Sequence, residues 1–217
     1  GYKRHVVRNL DTRLIHAVGV TPANAPEASV APSLAADLAH QQATLVELHI
    51  DLAYLNSSLV QERSPEMEIY CKPWPMRNGD RFPKTAFALD WEQQRIRCPN
   101  GTQRPFTPGK VVHFPAATCA ACPKRPSCTR SQRGRSVSIH PQERLIWDLR
   151  QRQQTVTGRA KLRERVDVEH ALAHIGHWQG PRARFCGTRK NLLDLRCTAV
   201  VSNLHVISHL PAFEQAA

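Results

Sequence analysis

With 217 residues the chain is long enough to bury a real core, either as one large domain or as a core carrying a smaller inserted module, and it is not a disordered tail. Lys and Arg outnumber Asp and Glu by 30 to 18, a formal charge of +12 that points to a polyanionic partner, nucleic acid ahead of a membrane surface. No run approaches the roughly 18 apolar residues of a spanning helix and the first residues show no signal-peptide pattern, so a soluble intracellular protein is expected.

In chain order, residues 2–8 and 14–20 read as two strands around the polar turn Asn9-Leu-Asp-Thr12, a hairpin. The chain starts inside the first of these strands without an initiator Met, so a longer protein is expected upstream. Residues 33–40 have helical apolar spacing behind a Ser cap position, and 44–50 form an apolar strand closed by Asp51. Strand, helix and strand imply an α/β unit. A short helix or turn at 54–62 and a strand at 67–71 follow. From residue 72 to 140 the composition turns proline-rich, with short strand-like pieces at 86–89 and 111–114 and four of the seven cysteines. Helical pattern returns from Pro141 to about Gln153, bends near residues 155–158, continues through His177, and resumes from Asn191 to about Leu204. Three segments result: residues 1–71 as the first part of a core, 72–140 as a β-rich insertion, and 141–217 as the helical second part.

Two carboxylates stand out. Glu169 falls on a stripe with Leu162, Val166, Leu172 and Ile175, where a buried carboxylate must be paired, protonated or bound to a metal. The plainer reading is an ion pair with Arg165, one helical turn away. Asp51 ends an apolar strand, where site residues are presented, although a turn residue fits that position equally. Two such groups suit divalent-metal chemistry, in which Mg²⁺ held by Asp and Glu activates a water or a 3′-hydroxyl.

Cys98, Cys119, Cys122 and Cys128 are spaced C-x20-C-x2-C-x5-C, which suits a closed tetrahedral zinc site of structural type, with His113 or His140 able to replace one cysteine. The alternative is four reduced thiols in an irregular loop region. Cys71, Cys186 and Cys197 read as small buried hydrophobes, and Trp147 and Trp178 as core residues rather than base-stacking platforms. His170, His174 and His177 share a helical face and read as solvated. Between residues 120 and 165 twelve Lys or Arg face three acids, Glu143, Asp148 and Glu164, an excess suited to phosphate binding beyond an ordinary solvated helix face.

Several segments, taken in order, resemble the DDE transposases of bacterial insertion sequences, close to the IS4/IS5-like group and especially the IS1182 type. They are Gly1-Tyr-Lys-Arg-His5, Val20-Thr-Pro-Ala-Asn24, Leu48-His-Ile-Asp-Leu-Ala-Tyr54, the cysteine module, His140-Pro-Gln-Glu143, Arg165-Val-Asp-Val-Glu-His170 and Gly187-Thr-Arg-Lys-Asn-Leu192. The resemblance implies the C-terminal catalytic region of such an enzyme: an α/β, RNase H-like core with a mostly β, cysteine-bearing insertion and C-terminal helices. It implies Asp51 and Glu169 as catalytic Mg²⁺ ligands, with a first catalytic Asp on a strand upstream of Gly1, so that the fragment alone is inactive. The family's Y-x2-R-x3-E-x6-K signature reads Leu162, Arg165, Glu169 and Gly176 here, keeping Arg and Glu and losing Tyr and Lys. Lys161, Arg165, Arg182 and Arg184 are the expected contacts to double-stranded DNA at transposon ends and target, in a homodimeric complex in the bacterial cytoplasm at the nucleoid. Two other readings remain: a non-catalytic, zinc-stabilised DNA-binding remnant, and a metal-dependent nuclease on the same fold.

Overall fold

The computed structural model describes residues 1–209, a mixed α/β chain that divides into two compact units, Gly1–Lys72 with Gln153 onward, and Pro73–Arg152. Among the described residues no helix is long and apolar enough to cross a membrane.

The first unit opens with β1 (Tyr2–Arg8) and β2 (Ile15–Pro22), an antiparallel hairpin. Its turn is organised by Asn9, whose side-chain oxygen accepts from the backbone N–H groups of Asp11 and Thr12, the local bonding that suits Asn to turns. β2 is covered on both faces, which explains its largely apolar sequence, whereas β1 is half-buried and carries Lys3, Arg4 and Arg8. Ala17 packs with Val30, Leu34 and Leu38 of the segment through α1 (Ala31–His40). Gly19 is needed there, because a Cβ would stand 2.2 Å from Val30 Cγ2. Helix α1 starts two residues before Ser33, with Pro32 in its first turn and no side-chain cap. The chain continues through β3 (Glu47–His49), a short 3-10 turn at Leu52–Tyr54, α2 (Ser58–Gln61) and β4 (Glu68–Tyr70), which lies parallel to β3.

The second unit holds β5 (Ala88–Asp90), β6 (Arg95–Arg97) and β7 (Gln103–Pro105) in one antiparallel sheet, then β8 (Val111–His113), α3 (Ala116–Ala120) and β9 (Ser136–Ser138), with β8 paired to β9. Short strands suffice because alternate residues meet in a single core of Phe87, Ile96, Phe106, Val112, Phe114, Val137 and Ile139. Gly134 makes the turn into β9 at φ +85°, where a Cβ would lie 2.4 Å from the Phe114 carbonyl oxygen. Helix α4 (Glu143–Arg152) belongs to this unit, whereas the sequence reading put residues from 141 onward with the core. The reason is Glu143, which is buried and receives the Lys84 ammonium and the His140 backbone N–H.

The first unit resumes with α5 (Val156–Glu164), capped by the Thr155 hydroxyl accepting from Gly158 N–H, then α6 (Val166–Gln179) and α7 (Thr188–Ser208). Gly180 at φ +79° and Pro181 stop α6. Ile175 of α6 and Leu195 and Ala199 of α7 pack with Ile15 and Val18, so the hairpin lies between α1 and the α6–α7 pair. Cys71 is buried as expected, but Cys186 and Cys197 are exposed, because they fall in the α6–α7 loop and on the outer face of α7. Trp178 is likewise partly exposed, edge-on to His174 and His205.

Within this unit His5 is buried with both ring nitrogens engaged, Nδ1 with Tyr54 Oη at 2.5 Å and Nε2 with Thr21 Oγ1 at 2.8 Å. Burial lowers its pKa, opposed by Glu27 and assisted by Lys3, while burial pushes Tyr54 up to about 12. The folded state therefore holds fewer protons at His5 than the unfolded chain. Stability is full above the unfolded value of about 6.5 and falls as pH drops through it toward the lower folded value. Unfolding midpoints measured from pH 8 to 5 should decline less for His5→Gln than for the wild type; parallel curves would contradict this role.

Candidate active site

Asp51 and Glu169 lie 118 positions apart in sequence and meet at one guanidinium. Asp51 leaves the carboxyl end of β3 in extended conformation, and Ile50 N–H still bonds to Tyr70 O, so the parallel β3–β4 pair fixes where the carboxylate starts. Openings beyond the carboxyl ends of parallel strands are the usual ligand sites of α/β proteins. Glu169 stands in the first turn of α6, where the helix dipole favours a negative charge. Arg165, the residue shared by the end of α5 and the start of α6, donates from Nη1 to Asp51 Oδ1 and from Nη2 to Glu169 Oε1 at 2.7 Å.

The expectation of a buried Glu169 is corrected. Its side chain is 58% exposed and that of Asp51 64%. The helix breaks at Arg165, so Leu162 and Glu169 do not share one continuous face, and the stripe that α6 buries is Ala171, Ile175 and Gln179. Glu169 and Asp51 line an open cavity of about 740 Å³. One wall of it runs along β1 from Lys3 to Arg8 and another along residues 43–51 through β3, two strands that belong to separate sheets.

One turn before Arg165, a second ion cluster repeats the arrangement. Lys161 Nζ is 3.0 Å from Glu47 Oε1 and 3.3 Å from Glu164 Oε2, and His49 Nε2 is 2.5 Å from the same Glu47 oxygen. Glu47, His49 and Glu164 are the one group of three metal-capable side chains found within 4.8 Å of one another among the described residues. The His49 side chain is only 4% exposed and its Nδ1 has no partner, which favours the proton on Nε2, facing Glu47. Burial would raise the Glu47 pKa, but the hydrogen bonds from His49 and Lys161 outweigh it and hold the carboxyl below its usual value. The cluster thus already carries its counter-charge in Lys161. Sequence reasoning missed it, although Glu-x-His on one strand face and Lys-x-x-Glu on a helix were visible signals.

Arg182 and Arg184 are exposed in the α6–α7 loop and line another opening with Arg4, Asn191 and Asp194. Gly176, at the signature position where the family's Lys is missing, faces Arg4, whose Nη1 lies 3.8 Å from where a Cβ would stand. In the other unit Cys98, Cys119, Cys122 and Cys128 line one cavity with Phe82, Phe114 and Arg135. Burial raises the Cys128 thiol pKa, Arg135 opposes it, and the other three cysteines add to the rise. Among the described residues their sulfurs do not form a group of three within 4.8 Å, and His113 and His140 lie outside the cavity lining. Of the basic run, Arg135, Arg150, Lys161 and Arg165 are held by internal partners, while Arg130, Arg133, Arg144, Arg159 and Arg163 are exposed.

Carboxylate oxygens at an open cavity mouth are suitable donors for a hard divalent cation, and Asp51 and Glu169 satisfy that requirement. No curated protein and no solved structure matches the chain. A family model described as the transposase DDE domain matches residues 97–208, a span that takes in the four cysteines, Lys161, Arg165, Glu169, Arg182 and Arg184. That match covers more than half of the 217 residues, and the chain belongs to the DDE transposase family.

Proposed function

We propose that this chain is the catalytic part of a cut-and-paste DNA transposase of the insertion-sequence type, with Asp51 and Glu169 as two of the three carboxylates that hold Mg²⁺ on an RNase H-like core. The observation that carries the reading is the shared guanidinium of Arg165, which brings a strand-end Asp and a helix Glu to one cavity mouth. When bound, the divalent ion supplies the charge that activates water for hydrolysis and then a 3′-hydroxyl for strand transfer. Asp51 and Glu169 fix its place, and Lys161, Arg165, Arg182, Arg184 and Arg4 hold the DNA phosphates.

The cavity that Asp51 and Glu169 line is walled by β1, β3, Leu34, Leu38 and Leu172, and no third carboxylate of the set is assigned to it. Asp37 is not that group, because it pairs with Arg196 on α7, and Asp11 sits in the exposed hairpin turn. The four cysteines, no three of whose sulfurs lie within 4.8 Å of one another, would have to draw together to hold a structural zinc ion in the second unit, and the protein acts at the bacterial nucleoid as a homodimer on transposon ends. The loss of the signature Tyr and Lys at Leu162 and Gly176 favours, as second reading, a zinc-stabilised DNA-binding remnant.

Calorimetric titration with Mg²⁺ tests the ligand pair. Asp51→Asn and Glu169→Gln should each weaken binding by at least roughly tenfold, the loss that even an outer-shell change causes at metal sites. Binding of equal strength in both variants would contradict the assignment.

A further inference from the structure

We propose that Arg165 is the resident stand-in for the divalent ion: its guanidinium holds the Asp51 and Glu169 carboxylates together until a cation takes its place, and is then released to bind DNA phosphate. The inference rests on reading these two carboxylates as metal ligands. One nitrogen of the fork reaches Asp51 Oδ1 and the other reaches Glu169 Oε1, so a single cation already spans both donors. Two carboxylates and one guanidinium carry a net charge of −1. A divalent ion added with Arg165 in place makes +1, and a phosphate diester brings it back to zero. Cation entry therefore repels the guanidinium, and backbone phosphate is the natural partner for its two parallel N–H donors.

Burial makes the exchange inexpensive. Arg165 is only partly buried and both carboxylates are more than half exposed, so these ion pairs belong to the weak, solvent-screened class. A pair meant to lock the site would be desolvated. The neighbouring Lys161 cluster supplies an internal contrast, because there a cation also spans two carboxylates, Glu47 and Glu164, beside a buried imidazole that donates to one of them. Arg165 bridges the two carboxylates proposed here as metal ligands, and both of them line the open cavity.

Mn²⁺ titration followed by electron paramagnetic resonance of the free ion tests this on the 217-residue chain, with a fluorescent 20-base-pair duplex added in a second series. Arg165→Gln should bind Mn²⁺ roughly threefold to tenfold more tightly than wild type, the factor expected for removing two exposed ion pairs. Lys161→Gln should change the affinity by less than about twofold at physiological salt, where screening limits charges that do not touch the ligands. In the wild type Mn²⁺ should tighten duplex binding, and by linkage that gain should vanish in Arg165→Gln. Equal or weaker Mn²⁺ binding by Arg165→Gln, or a rise in Mn²⁺ affinity of the same size in Lys161→Gln, overturns the proposal while Asp51→Asn and Glu169→Gln still report on the ligand pair. Mn²⁺ binding insensitive to Asp51→Asn and Glu169→Gln overturns both readings together.

Discussion

Glu143→Ala should destabilise the Pro73–Arg152 unit by about 3–5 kcal/mol, the cost of stranding buried charges by removing their partner. Glu143 is 2% exposed, receives the Lys84 ammonium, lies 3.9 Å from Arg150, and accepts the His140 backbone N–H at 2.9 Å. Burial lowers the Lys84 pKa, with Glu143 opposing, and burial lowers that of Arg150 as well, so both cations depend on this one carboxylate. Glu143→Gln keeps an acceptor for His140 and should fall between wild type and alanine. Glu169→Gln breaks an ion pair of the same chemistry at an exposed site and should shift stability by less than about 1 kcal/mol. Chemical denaturation of the three variants checks the order. Equal effects at positions 143 and 169 would contradict the contrast in burial.

Cys122→Ser should lower zinc content and thermal midpoint together. A four-ligand zinc site at neutral pH carries binding free energy on the order of 10 kcal/mol, which becomes folding free energy when the site forms with the fold. The core cluster that the cysteines pack against in the Pro73–Arg152 unit holds seven buried residues, so a metal at the cysteine cavity would contribute heavily to the unit's stability. Position 122 is the informative one. Cys98, Cys119 and Cys128 also pack against that core, so substituting them confounds packing with ligation, whereas Cys122 lines the cavity without joining the packed set. Thiolate ligands must lose their protons, so zinc uptake should release protons and weaken as pH falls. Unchanged zinc stoichiometry by elemental analysis in Cys122→Ser would refute the ligand assignment.

The hairpin, α1, the strand leading to Asp51 and the helical C-terminal region were legible in the sequence because each rests on local apolar spacing and turn residues. The break at Arg165 was not. No Gly or Pro marks it, and what holds the start of α6 is tertiary, with Arg8 donating to the Asp167 carbonyl and pairing with its carboxylate at 2.9 Å. Without that break Glu169 falls on the apolar stripe; the ion pair with Arg165, the alternative reading, forms at i, i+4 spacing but at an exposed site. The Lys161 cluster escaped for a similar reason, since it joins positions 47 and 161 across a fold that no local pattern encodes. The grouping of α4 with Pro73–Arg152 has the same source, because the helix is tied by Glu143 to Lys84, 59 positions earlier.

The most direct test incubates the protein with a duplex carrying the element's terminal sequence and Mg²⁺, with 3′-end cleavage and joining to a target both scored. Cleavage and joining, with loss of both in Glu169→Gln and in Asp51→Asn, is the expected result. Cleavage without joining would instead mark a nuclease, and full activity in Glu169→Gln would contradict the DDE assignment of this site.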